Sequence, residues 1–147
     1  MLQYVIAILE RDLDRLAAEI TLFKNDRHVW QLAGNISNTS GNLCLHLLGN
    51  INTYIGKHLG NTGYIRNREA EFTLKDVPNE TLIAQIHETK RMVRQTLEAL
   101  SEEDLQKIFP EKTLGYEMST GYFLVHITSH LSYHLGQINY LRRMLSQ

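Results

Sequence analysis

The sequence predicts an all-α fold, a single four-helix bundle over residues 1–147. Three observations carry that expectation. Apolar residues recur at three- and four-residue steps over four long stretches, which lays one apolar stripe on each helix. No stretch alternates apolar and polar residues over six positions, as a half-buried strand would. Turn-forming and helix-capping residues cluster between the periodic stretches. Four helices with one apolar face each must bury those faces together, and a bundle does so economically. A chain of 147 residues has the length of one domain and can bury a core without covalent staples.

The first helix is expected over residues 2–24, with Leu2, Val5, Ile6, Leu9, Leu13, Leu16, Ile20 and Phe23 on its apolar face. Asp12, Asp14, Arg15 and Glu19 fall on the solvent side. Residues 25–38 lack a period and hold the turn pairs Asn25-Asp26, Gly34-Asn35 and Ser37-Asn38, so they read as a connection. The second helix spans 39–59, with capping oxygens on Asn38, Thr39 and Ser40. Its inner stripe is Leu43, Leu47, Ile51, Tyr54 and Ile55. Gly49 and Gly56 lie inside it, each costing about 1 kcal/mol against alanine, which predicts a close approach by another element. Residues 60–77 read as a long polar connection, a length that is often functional. The third helix covers 78–100, with Pro78 in the first turn and Leu82, Ile86, Val93, Leu97 and Leu100 facing the core. Ser101 with Glu102, Glu103 and Asp104 reads as the cap and acidic first turn of a short helix that stops at Pro110. The fourth helix covers 119–145, capped by Ser119 or Thr120. Phe123, Ile127, Ile138, Leu141 and Leu145 form its apolar side, and Arg142 and Arg143 suit its last turn.

Composition excludes several functions. Fifteen basic against sixteen acidic residues give a net charge of −1, without the basic surplus of a nucleic-acid binder. A single cysteine excludes a disulfide framework and any multi-thiolate zinc or iron–sulfur site. No run approaches the ~18 apolar residues of a membrane span. The apolar segment Met1–Leu9 lacks a basic flank and runs into Glu10-Arg11-Asp12, unlike a signal peptide. The expected location is the cytoplasm.

Seven histidines carry most of the chemical information. His126, His130 and His134 recur every fourth residue, so their rings line one stripe of the fourth helix, about 6 Å apart along the axis. An i, i+4 histidine pair presents two ligands to one ion. A third histidine two turns away cannot join the same tetrahedron, so the third ligand must come from another helix. His46 is the best candidate, pointing inward between Leu43 and Leu47. Three imidazoles suit zinc or nickel, and three protein ligands leave positions open, as in catalytic zinc sites. There is no Glu-x-x-His for a di-iron carboxylate bundle and no His-Glu-x-x-His. Cys44, two residues from His46, reads as a buried structural thiol. His28, His58 and His87 sit in polar company and read as surface residues, and Lys90, Arg91 and Arg94 as a solvated helix face.

Three segments resemble one family. Ser37 to Asn50, with Asn42 and His46, resembles the second-helix signature of the DinB-like superfamily. His130-Leu131-Ser132-Tyr133-His134-Leu135-Gly136-Gln137 is similar to its His-x-x-x-His-x-Gly-Gln signature, and Arg66 to Phe72 to a loop of one bacterial branch. The resemblance covers nearly the whole chain. It implies an up-down-down-up helix order, a metal site of His46, His130 and His134 with His126 as a neighbour, and a homodimer. Members of the family include thiol S-transferases using bacillithiol or mycothiol, a maleylpyruvate isomerase and proteins called metal-dependent hydrolases.

The leading functional expectation is a metal-dependent thiol S-transferase, acting on a small-molecule substrate with a low-molecular-weight thiol as cofactor. Asn42 and Asn50, one turn either side of His46, and Gln137, one turn beyond His134, are expected to orient ligands or substrate. Arg66 and Arg68 are candidates for a substrate carboxylate. The alternatives are a hydrolase using metal-activated water, with Glu69 or Glu71 as base if the loop folds over the site, and a non-catalytic metal-binding module. No nucleic acid or membrane is expected as partner.

Overall fold

The computed structural model describes residues 1–146. Helix α1 spans Leu2–Leu22 and is followed by a 3-10 turn at Asp26–Trp30. Helix α2, Ser40–Ile51, continues through a π-helical stretch at Asn52–Lys57 into the short α3, His58–Gly60. Next come α4 at Arg68–Thr73, α5 at Asn79–Glu98, a 3-10 turn at Asp104–Gln106 and α6 at Thr120–Leu145. One isolated bridge joins Ile108 to Ser119.

The long helices α1, α2, α5 and α6 surround one core. Every residue of the expected α1 stripe is buried, and so are Leu43, Leu47, Ile51 and Ile55 from α2 and its π-helical extension. Leu82, Ile86, Val93 and Leu97 of α5 and Phe123, Ile127, Ile138 and Leu141 of α6 belong to the same core. Helix directions follow from who touches whom. Arg94 pairs with Glu10 and Lys90 with Asp14, so α5 runs against α1. Asn52 bonds Thr89 while Gly56 lies against Met92, so the second long helix runs with α5. Gly121 lies by Met1 while Arg142 pairs with Glu19, so α6 runs with α1. His46 meets His130, and Tyr54 meets Phe123, so α2 opposes α6. The four long helices therefore run up, down, down and up in chain order, with α1 packed on α5 and α6 and α2 on the same two. The connection from Gly60, which lies against Thr96 near the end of α5, back to the start of α5 at Asn79 therefore spans the length of the bundle, while the α1–α2 and α5–α6 connections each cross one end of it.

The boundaries show which local signals operate. Thr39 caps α2, its side chain accepting from the Asn42 amide, and Ser119 caps α6 by accepting from Tyr122. Pro78 lies just outside α5, and its carbonyl accepts from Thr81 and Leu82. Ser101 and Asp104 do bond each other's amides, but only a three-residue 3-10 turn follows, not the short helix expected. The connection 60–77 holds a helix of its own, α4, capped by Asn67 accepting from Ala70. Its single turn and a half is too short for the periodicity test that locates longer helices.

Two charged residues of α1 are not on the solvent side. Asp12 is 1% exposed, lying under the guanidinium groups of Arg11 and Arg15. Glu19 is largely covered by its pairing with Arg142 and a hydrogen bond from Asn139. Both lie at the edge of the apolar stripe, where α6 packs, so position on a helical wheel alone misplaces them.

Candidate metal centre

His46 projects from the middle of α2 toward α6, where His130 and His134 stand one turn apart. Antiparallel packing of α2 on α6 brings the three rings together. Nε2 of His130 lies 3.3 Å from Nε2 of His46 and 3.2 Å from Nε2 of His134. One ligand atom from each of the three residues falls within 4.8 Å of the others. A tetrahedral ion with metal–nitrogen bonds of ~2.0–2.1 Å has an edge of ~3.3–3.4 Å, which matches these separations.

Hydrogen bonds on the outer faces of the rings set their tautomers. Nδ1 of His46 lies 3.1 Å from Oε1 of Glu71. That carboxylate is held by Arg66, so it accepts and Nδ1 carries the proton. Nδ1 of His134 donates to Oε1 of Gln137 at 2.7 Å. Both Nε2 atoms are therefore bare lone pairs aimed at His130. A proton on His130 Nε2 can satisfy one of them but not both, whereas a divalent cation satisfies all three. Burial pulls the His130 pKa down to about 4, and it lowers His46 as well. Both shifts favour the neutral imidazole at His130 and His46, the form that binds metal. Nδ1 of His130 is buried with no hydrogen-bond partner among the described residues. His126 stacks on Phe123 and His130 but contributes no atom to the group.

Helix α4 places Glu71, which is 6% exposed in a chain segment read from sequence as a connection. Arg66 grips both carboxylate oxygens, Nε to Oε2 at 2.8 Å and an Nη to Oε1 at 2.9 Å. The Arg66 guanidinium also lies 5.9 Å from the centre of the Tyr54 ring. Asn42 anchors the segment, its amide donating to the carbonyls of Glu71 and Leu74, each at 2.9 Å. Phe72 packs on the His46 ring with centroids 5.0 Å apart. Gly49, one turn after His46, leaves the space that the Glu71 carboxylate fills: a Cβ there would stand 2.6 Å from its carboxyl carbon. The expected close approach is thus by a side chain, and at Gly56 by Thr62 and Met92.

The matching of the DinB superfamily model over residues 7–138 decides the affiliation. The chain belongs to the DinB superfamily. No curated protein matches it. Among solved structures, it is similar to a conserved protein from Enterococcus faecalis. Identity is 14% over 96% of this chain and 94% of that one, with a TM-score of 0.76, a likeness of fold.

Within this DinB-superfamily bundle, the structure sorts the other candidate residues. Gln137 stands directly on His134. Asn42 makes its side-chain hydrogen bonds to Thr39 and to the carbonyls of Glu71 and Leu74, and so ties down the α4 segment. Asn50 Oδ1 is buried without a hydrogen-bond partner among the described residues. Arg66 is engaged by Glu71 rather than free for a substrate carboxylate, and Arg68 is exposed on α4. Glu69 is exposed, while Glu71 does fold over the site, as the holder of His46. His58 is not a surface residue: its side chain is 14% exposed, packed by Tyr54 and Phe109 beside Glu111. Cys44 is fully buried, and burial pushes its thiol up to about 12. No helix among the described residues is long and apolar enough to cross a membrane.

Proposed function

We propose that this protein binds a divalent cation, zinc or nickel, through His46, His130 and His134, and uses it to transfer a low-molecular-weight thiol to a small-molecule electrophile. The observation that carries the reading is the commitment of Glu71. Water activation at such a site ordinarily wants a free carboxylate base. Here Oε1 of Glu71 accepts from His46 and Arg66, and Oε2 accepts from Arg66. A thiol needs no such base, because its ordinary pKa near 8.5 falls readily beside positive charge. The protein's own thiol is excluded as nucleophile by its burial at Cys44, so the sulfur would come from a cofactor.

A cation in the site supplies the charge that favours the thiolate form of that cofactor. The chain's residues do the rest. Glu71 and Gln137 fix the two imidazoles by accepting their Nδ1 protons, and Phe72 covers one side of His46. In the transfer, the sulfur forms a bond to the electrophilic carbon, the leaving group departs with its electron pair, and the thiol proton passes to solvent. The near-neutral charge accords with a small molecule as partner rather than nucleic acid. The reading further takes the protein to be a cytoplasmic homodimer.

Protein purified without a histidine tag and supplemented with zinc or nickel is expected to hold one ion per chain by elemental analysis. It is expected to consume thiol in the presence of a chloronitroarene, and to stop when stripped of metal. Substoichiometric metal after supplementation overturns the reading. Thiol-independent ester cleavage replaces the transferase by a hydrolase, and full metal with neither activity replaces it by a binding module.

A further inference from the structure

Two glycines of the functional helices differ in what explains them. Gly49 makes room for Glu71. Gly136 lies inside α6, two residues after His134, where glycine weakens a helix relative to alanine. A Cβ there would meet nothing within 4 Å, so no neighbour among the described residues requires it. Gly136 instead lines a cavity of about 600 Å³, walled by Tyr133, Tyr140, Leu43 and Asn38 and floored at one side by Gln137. A glycine without an intramolecular reason beside a cavity marks a place where a ligand approaches the backbone.

The cavity adjoins the metal centre. Gln137 bonds His134, Tyr133 lies 5.2 Å from the His134 ring, and Leu43 is one turn before His46. Since α2 and α6 are antiparallel, stepping back from His46 and forward from His134 leads to the same next layer. The volume lies in the range of small-molecule sites, ~300–1,000 Å³. None of the residues lining it is charged, and its few polar groups include Asn38 and Gln137. Tyr133 and Tyr140, which line it, are 66% and 69% exposed.

We propose that this cavity seats the uncharged, apolar or aromatic body of the electrophile, resting against the backbone at Gly136 while its reacting carbon reaches the histidine centre. The neutral lining argues against a charged thiol as occupant, because an unpaired charge loses solvation there. The assignment of the occupant as electrophile rests on the transferase reading; the existence of the site does not.

The test uses graded filling, Gly136→Ala and Gly136→Leu, whose Cβ atoms have free space. The probe is the neutral fluorophore N-phenyl-1-naphthylamine, titrated into metal-loaded protein and into the metal-free His130→Ala/His134→Ala variant. Binding is expected in both backgrounds, weakened several-fold by Gly136→Ala and at least tenfold by Gly136→Leu, with circular dichroism and metal content unchanged. With activity in hand, the kcat/KM ratio of an aryl electrophile to iodoacetamide is expected to fall at least tenfold in Gly136→Leu. Equal probe binding by Gly136→Leu overturns the site. Conversion of a wild-type dimer to a monomer by Gly136→Leu overturns it in favour of a second copy on this face. Probe binding without thiol transfer keeps the site and removes the transferase reading, so the two failures are distinct.

Discussion

The two arms of the three-histidine group are built in opposite ways. On α6, His130, His134 and Gln137 lie within eight residues, and the supporting bond from Gln137 to His134 spans three. On α2, His46 depends on Glu71, 25 residues away, which depends on Arg66, Asn42 and the space at Gly49. The first arm is oriented by helix geometry alone. The second exists only when the segment 61–77 is folded onto the bundle. A local arm needs no tertiary structure beyond its helix, so its support is cheap to lose. The distant arm has a buried, charged, multiply bonded support, and losing one member strands the others.

Glu71→Ala is the strongest way to break this asymmetry. It leaves the Arg66 guanidinium, 15% exposed, without its partner, and frees His46 to take either tautomer. Metal affinity is expected to fall about 10–100-fold, with destabilisation of about 3 kcal/mol, as for other broken buried pairs. Isothermal titration with zinc and chemical denaturation of the metal-free protein read the two effects. Glu71→Gln keeps an acceptor for His46 and is expected to recover much of the affinity but not the stability. If Glu71→Ala binds zinc as wild type does, the segment is not a support for the site.

Gly49→Ala sharpens the point without replacing a histidine of the group or its partner. Alanine favours a helix by about 1 kcal/mol in isolation. Here its Cβ would collide with the carboxyl carbon of Glu71, so the acid must withdraw from His46. Net destabilisation and an affinity loss of about tenfold are expected, abolished in the Glu71→Ala background. Additive effects in the double variant would show that the collision is not the cause.

The same asymmetry explains what could be read from sequence. The four long helices, their apolar stripes and the histidine spacing on α6 are periodic, and periodicity survives in one dimension. His46 stood out because it interrupts an apolar run, and resemblance to a family added weight. Glu71 was visible only as a candidate base that needed the loop to close. Nothing local distinguishes it from Glu69, and its role arises from a bond across 25 residues. Arg66 looked like a free cation for the same reason. The one clue was Gly49, a costly glycine in a helix, which announced a close neighbour without naming it. Asp12 and Glu19 were misplaced because the seam with α6, not the wheel of α1, decides their burial.

Acid is expected to act on both arms of the metal-free protein. The folded-state pKa of His130 is depressed, to about 4, mainly by desolvation. In the unfolded chain it titrates near 6.5. Between those values the unfolded state binds the additional proton, so stability is present above pH ~6.5 and is lost as pH falls toward 4. His46 shifts in the same direction. Urea midpoints measured from pH 7.5 to pH 4.5 are expected to decline through this window, and to decline less in His130→Ala. An unchanged pH dependence in that variant would place the acid sensitivity elsewhere.

Gln137→Ala is expected to produce the smallest effect, and that is its use. Gln137 is exposed, and its bond to His134 lies near the helix surface. Water can replace an exposed acceptor at little cost, and α6 itself keeps the His134 ring beside His130. Affinity for zinc is expected to fall less than tenfold, and stability to change by less than about 0.5 kcal/mol. A loss matching that of Glu71→Ala would mean that both imidazoles rely equally on their outer hydrogen bonds. The helix of α6 would then be no substitute for a second residue, and the difference between the arms would reduce to one of sequence distance.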